Sequence, residues 1–84
     1  MKILKFYADW CQPCKTMIPI FLRIKEELKV EVIDVNVEDN NDMCVDYNIK
    51  GVPTLIILDD DEKEVNRYVG STTYERIKEL IEAT

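Results

Sequence analysis

The spacing of apolar residues changes along the chain, and each change of period marks a secondary-structure element. Ile3 to Ala8 reads as a short strand. From about Pro13 to Leu28 the apolar positions Cys14, Met17, Ile18, Phe21, Ile24 and Leu28 recur three or four apart, leaving Arg23, Glu26, Glu27 and Lys29 for solvent. That is the pattern of an amphipathic helix. Pro19 lies inside it, where a missing N–H and a ring clash predict a bend about one turn after Cys14. Val30 to Val37 is rich in β-branched residues and reads as a second strand, parallel to the first because a helical crossover joins them. Asp39 or Asn40 can cap a short helix that runs through Tyr47 and ends before Gly51. Thr54 to Leu58 is a continuous apolar strand, and the acidic turn Asp59 to Glu62 leads into a more polar one, Lys63 to Val69. So short a connection predicts an antiparallel hairpin. Thr72 and Glu75 match a capping box, and Tyr74, Ile77, Leu80 and Ile81 give the last helix one apolar face. The predicted string is β-α-β-α-β-β-α, an α/β class.

Composition narrows what such a chain can do. Its 84 residues suffice for one domain, 1–84, and no linker, repeat or low-complexity stretch divides them. With 46% hydrophobic and 33% charged residues, the sequence is that of a folded chain rather than a disordered one. A formal charge of -6 argues against nucleic acid as a partner, since phosphate neutralisation needs a basic surface. The longest apolar run, Pro53 to Leu58, falls far short of the roughly 20 residues that span a bilayer. No basic segment followed by an apolar run opens the chain, because Lys5 and Asp9 interrupt it. The sequence therefore reads as cytoplasmic, although a mature form with its leader removed would read the same way.

Three cysteines, Cys11, Cys14 and Cys44, do not make the disulfide scaffold of a small secreted domain. The informative segment is Trp10-Cys11-Gln12-Pro13-Cys14-Lys15, where the first strand hands over to the first helix. Two positions three apart at a helix start lie within the roughly 4.4–6.8 Å between α-carbons that a disulfide needs. Cys11 precedes the helix, where unpaired N–H groups favour a thiolate, so it is the candidate nucleophile. Cys14 shares the apolar face with Met17 and Phe21, so it should be buried and act second. Cys11 would attack a substrate disulfide and Cys14 would resolve the mixed disulfide. The alternatives are an inert structural disulfide or half of a metal site. A structural zinc site wants four ligands, and without histidine the chain offers only Cys44 in addition, so neither a metal nor a cofactor is expected.

With these residues the sequence resembles the thioredoxin family. The resemblance runs over nearly the whole chain, anchored by Phe6, Ala8, Trp10 to Lys15, Pro19, Val35 to Val37, Tyr47 to Ile49, Gly51-Val52-Pro53-Thr54 and Gly70. It implies a four-stranded mixed sheet in the order 2-1-3-4 with helices on both faces, in a version that lacks the family's usual N-terminal strand and helix. It also implies that Pro53 is cis beside the redox pair, that the Val52 backbone pairs with an extended substrate, and that Trp10, Gly51 and Gly70 complete the docking surface. The plainer readings are a packed aromatic at Trp10 and turn geometry at the glycines.

The departures from the family concern charge. Thioredoxins usually bury an aspartate six residues before the first cysteine and pair it with a lysine on the neighbouring strand. Here those positions hold Lys5 and Asp34, so the charges have exchanged places. A buried ammonium needs a partner, which makes Lys5 and Asp34 a candidate pair tuning the site, unless both side chains reach solvent. Gln12 stands where glycine is common and no histidine precedes Cys14, which favours a reductant over an oxidase. Cys44 reads as a small buried hydrophobe, with a regulatory thiol as the sharper alternative.

Three functions compete for these residues. The leading one is a monomeric thiol–disulfide oxidoreductase that reduces disulfides in client proteins and is recharged by a thioredoxin-reductase-type donor. The others are a glutaredoxin-type enzyme using glutathione and a non-catalytic binding module.

Overall fold

A computed structural model describes residues 1–83. Along the chain run β1 (Lys2–Tyr7), α1 (Gln12–Thr16), α2 (Ile18–Glu27), β2 (Glu31–Asn36), α3 (Asn41–Asp46), β3 (Thr54–Leu58), β4 (Glu64–Val69) and α4 (Tyr74–Glu82). The four strands form one sheet in the order β2-β1-β3-β4. β1 is parallel to β2 and antiparallel to β3, which is antiparallel to β4. β1, β2 and β4 each differ by a residue at one or both ends from the runs read in the sequence.

Strand alternation divides the core between the two faces of this sheet. Ile3, Leu55 and Ile57 point to one side, where Met17, Phe21, Ile24, Tyr74 and Ile77 from the helical segments cover them. Leu4, Phe6, Val35, Ile56 and Leu58 point to the other, under Met43, Cys44 and Tyr47 of α3 and its C-cap. β3 is buried along its whole length, which is why it reads as an unbroken apolar run with no alternation.

The helices depart from the sequence reading in five respects. The first helix is two, divided at Met17, whose backbone stays in the helical region but whose N–H donates three residues back, to Cys14 O at 3.3 Å. Pro19 sits in the first turn of α2, where its missing N–H has no helical partner to lose. Ile18, which the periodicity assigned to the buried face, is half exposed: Cys14, Met17, Phe21 and Ile24 stay buried at intervals of three and four across Met17, and Ile18 lies at the edge of that stripe. Asn40 holds the N-cap position of α3 without capping, since its side chain donates instead to Asn36 O at 2.9 Å. In α4 the cap is Thr73 rather than Thr72. Thr73 Oγ1 accepts the N–H of Arg76 at 3.2 Å, so no acidic side chain completes a capping box.

The β3–β4 turn is built on one carboxylate. Asp59 Oδ1 accepts the N–H groups of Asp61 and Lys63 at 2.8 and 2.9 Å. The chain start is fastened to the same turn through Met1 N to Asp60 at 2.6 Å and Lys2 Nζ to Glu62 at 2.7 Å. The acidic turn therefore lies at the opposite end of β1 from Cys11.

Candidate active site

Cys11 follows β1 by four residues and occupies the N-cap of α1 with an extended backbone, φ -86° and ψ 104°. Its own N–H donates to Ala8 O at 3.1 Å, which fixes the approach of the chain from the strand. A residue in this position faces N–H groups that no helical carbonyl reaches. Cys11 Sγ accepts one of them, from Cys14 at 3.2 Å. Cys11 and Cys14 are joined by a disulfide, with α-carbons 5.3 Å apart. Both sulfurs are covered, the residues being 4% and 6% exposed respectively. Burial therefore does not separate them, contrary to the simple expectation of an inner and an outer thiol; hydrogen bonding does.

Around the disulfide, Ala8 completes a small buried cluster, and Tyr7, Val37 and Val52 pack against it. The Val52–Pro53 peptide bond is cis. Pro53 O accepts the N–H of Gly70 at 2.8 Å, and Gly70 has φ +102°, a conformation that residues with a Cβ rarely adopt. Gly51 has no such constraint, for a Cβ there would meet nothing within 4 Å. Its carbonyl accepts Thr54 Oγ1 at 2.7 Å. Among the described residues, no hydrogen-bond partner occupies the backbone N–H or C=O of Val52.

Two grooves border this cluster. One, of about 300 Å³, is lined by Trp10, Val37, Cys44, Ile49, Lys50, Gly51 and Val52. Trp10 is 69% exposed, so its indole is a surface feature and not a packed core aromatic. Cys44 is half-buried and free, with Sγ 3.8 Å from Val37 O, and it forms part of a groove wall as well as packing against the core. The other groove, of about 360 Å³, reaches Cys14 and Ala8 and contains Lys5, Asp34, Lys15 and Lys25. Its apolar wall includes Ile18 and Leu22, both about half exposed.

The strand register sets Lys5 directly opposite Asp34, and their side chains meet at 3.1 Å, Nζ to Oδ1. Lys5 is the inner member, 12% exposed against 49% for Asp34. Its ammonium also lies 4.9 Å from the Phe21 ring centre and 5.7 Å from that of Tyr7, within cation–π range. Among the described residues no group of three metal-ligating side chains comes together, and Cys44 is not a third ligand beside the pair.

Sequence reading located the cysteines, Trp10, Gly51, Val52, Pro53, Gly70, Lys5 and Asp34, but not the groove residues Lys25, Lys50, Ile18 and Leu22. An apolar pair four apart, bracketed by lysines, is the signal available in the sequence, and assigning Ile18 to the buried face hides it.

Comparison with known proteins agrees with the geometry. A family model described as Thioredoxin matches residues 1–83. Thioredoxin from Bacillus subtilis is 32% identical over 78 residues, covering 90% of this chain and 74% of that protein. Thioredoxin-T from Drosophila melanogaster is 40% identical over 58 residues, covering 67% of this chain but only 37% of its own length. Among solved structures, a mutant thioredoxin from Halobacterium salinarum superposes with a TM-score of 0.91 at 33% identity, over 96% of this chain and 71% of that one. Thioredoxin 1 from Thermosipho africanus gives 0.87 at 30% identity, over 99% and 92%. A disulfide at a helix cap, beside a cis-proline loop in a β2-β1-β3-β4 sheet, is thus accompanied by matches in both sequence and structure, and the chain belongs to the thioredoxin family.

Proposed function

We propose that this protein is a thiol–disulfide oxidoreductase that reduces disulfides in client proteins through Cys11 and Cys14. In the reduced form the Cys11 thiolate attacks one sulfur of a client disulfide. A Cys11–client bond forms as the client S–S bond breaks, and the departing client sulfur takes up a proton. The Cys14 thiolate then attacks Cys11 Sγ, closing Cys11–Cys14 and releasing the second client sulfur as a thiolate. Two electrons pass to the client, and a dithiol donor of the thioredoxin-reductase type returns them.

The observation that supports these roles most directly is the hydrogen bond from the Cys14 N–H to Cys11 Sγ. A thiolate accepts such a bond more strongly than a thiol, so the bond lowers the cost of ionising Cys11 and makes it the nucleophile. The unengaged Val52 backbone, open space at Gly51 and the exposed Trp10 ring offer an extended client segment both main-chain pairing and apolar contact. Gly70 supports this loop through Pro53. Lys5 and Asp34 set the field beneath Cys14. The protein works as a monomer, and a reductant of protein disulfides belongs in a reducing compartment, here the cytoplasm.

Reduction of insulin by dithiothreitol, followed by turbidity, tests the proposal. The protein should accelerate it, the Cys11→Ser variant should not, and Cys14→Ser should hold client covalently. No acceleration would favour a non-catalytic binding module.

A further inference from the structure

Charge is unevenly distributed over this molecule. The two grooves beside the disulfide take four of the chain's eleven cations, Lys5, Lys15, Lys25 and Lys50, and two of its seventeen acids, Asp9 and Asp34. Their linings are thus net positive by two, while the remainder of a chain of net charge -6 carries -8. Lys5 is neutralised by Asp34, but Lys15, Lys25 and Lys50 are exposed and make no ion pair among the described residues. Away from the grooves, Lys2, Arg23, Arg67 and Arg76 are each paired with a carboxylate, while Lys29, Lys63 and Lys78 make no ion pair there among the described residues, so the distinguishing feature of the grooves is their net positive lining. Between Lys15 and Lys25 stand the half-exposed Ile18 and Leu22.

Resting on the reading above, we propose that the preferred clients present their disulfide within an acidic, partly apolar segment, whose Asp or Glu residues face Lys15, Lys25 and Lys50 and whose apolar side chain packs on Ile18 and Leu22. The overall negative charge does not prevent this. At physiological ionic strength charges are screened over about 8 Å. The acidic turn at Asp60 to Glu62 lies a full strand away, roughly 17 Å at the usual rise, so a docked client responds to the near lysines. Glu38 and Asp39 follow β2 at the same end as the disulfide but line neither groove. Complementary charge acts mainly on selection and encounter, so the preference should weaken with salt.

Three disulfide-linked peptides of matched length, with Glu, Ser or Lys flanking the cystine, provide the test, each reduced by the full chain in single turnovers at low and high salt. At low salt the Glu peptide should react about five-fold faster than the Lys peptide, the scale of a few exposed ion pairs. High salt should shrink that ratio, and the double variant Lys25→Glu, Lys50→Glu should abolish or invert it. A ratio within one protein cancels any change in thiol reactivity or folded fraction. Equal rates for the three peptides, or a ratio indifferent to salt and to the double variant, would overturn the preference while leaving the oxidoreductase reading intact. Failure to reduce any of the peptides would overturn both.

Discussion

Cys11 and Cys14 differ less in solvent access than in the groups that face them. Cys11 Sγ has a backbone donor at 3.2 Å, whereas the ionic groups that share a groove with Cys14 are those of the Lys5–Asp34 pair, Asp9, Lys15 and Lys25. Lys5 is largely covered, so loss of Asp34 would leave its ammonium with aromatic rings alone. Asp34→Ala is expected to cost about 1 kcal/mol in urea unfolding, the upper end for partly exposed pairs. Lys5→Ala removes a cation near Cys14 and should slow alkylation of Cys14 at neutral pH in a Cys11→Ser background. If both substitutions leave unfolding and alkylation unchanged, the pair has no part in tuning the site.

At the scale of elements, the central discrepancies arise where tertiary packing decides between neighbouring residues. Thr72 and Thr73 are both able to cap α4, and the pattern with Glu75 favours the first. The helix begins at the buried Tyr74, so Thr73 immediately before it takes the cap, a choice the pattern alone does not make. Thr73→Ala should therefore lower stability by about 1 kcal/mol, the usual cost of a lost cap, and Thr72→Ala by clearly less. Thermal unfolding of the two variants checks the assignment, and the reverse order would refute it. The strands themselves, the parallel crossover and the hairpin were legible because β-branched runs and turn residues encode them locally, whereas the strand order and the helices on both faces came from the resemblance to the family. The splitting of the first helix was legible only as a bend. Pro19 signalled an interruption, but its place in the first turn of a second helix, and the half-exposed position of Ile18 at the edge of the buried stripe, were not read from the spacing. At the site, the Cys-X-X-Cys spacing exposed the disulfide directly, whereas the grooves join residues from distant segments, such as Trp10 with Lys50.

For the whole molecule, titration should follow its carboxylates. Hydrogen bonds from Arg67 hold the Glu64 carboxyl below its ordinary range, as Lys2 does for Glu62 and the N-terminal ammonium for Asp60. A lowered folded-state value means stability that is present above the unfolded value and lost as pH falls through the folded one. The chain has no histidine to titrate near neutrality. The oxidised protein should thus have a level urea midpoint between about pH 5 and 8 and a falling one below about pH 4.5, with a shallower fall in Glu64→Gln. A midpoint that moves between pH 5 and 8 would contradict this. The same molecule places Lys15, Lys25 and Lys50 along the grooves beside the disulfide and fastens its chain start to the acidic turn at the far end of β1.

The division of labour between the two sulfurs is tested most directly by mapping where a client is captured. Mass spectrometry of mixed disulfides formed when each single-cysteine variant meets the same disulfide-containing protein reports the bonded sulfur and its rate of capture. The account predicts rapid capture on Cys11 in Cys14→Ser and slow or no capture on Cys14 in Cys11→Ser; faster capture on Cys14 would contradict it.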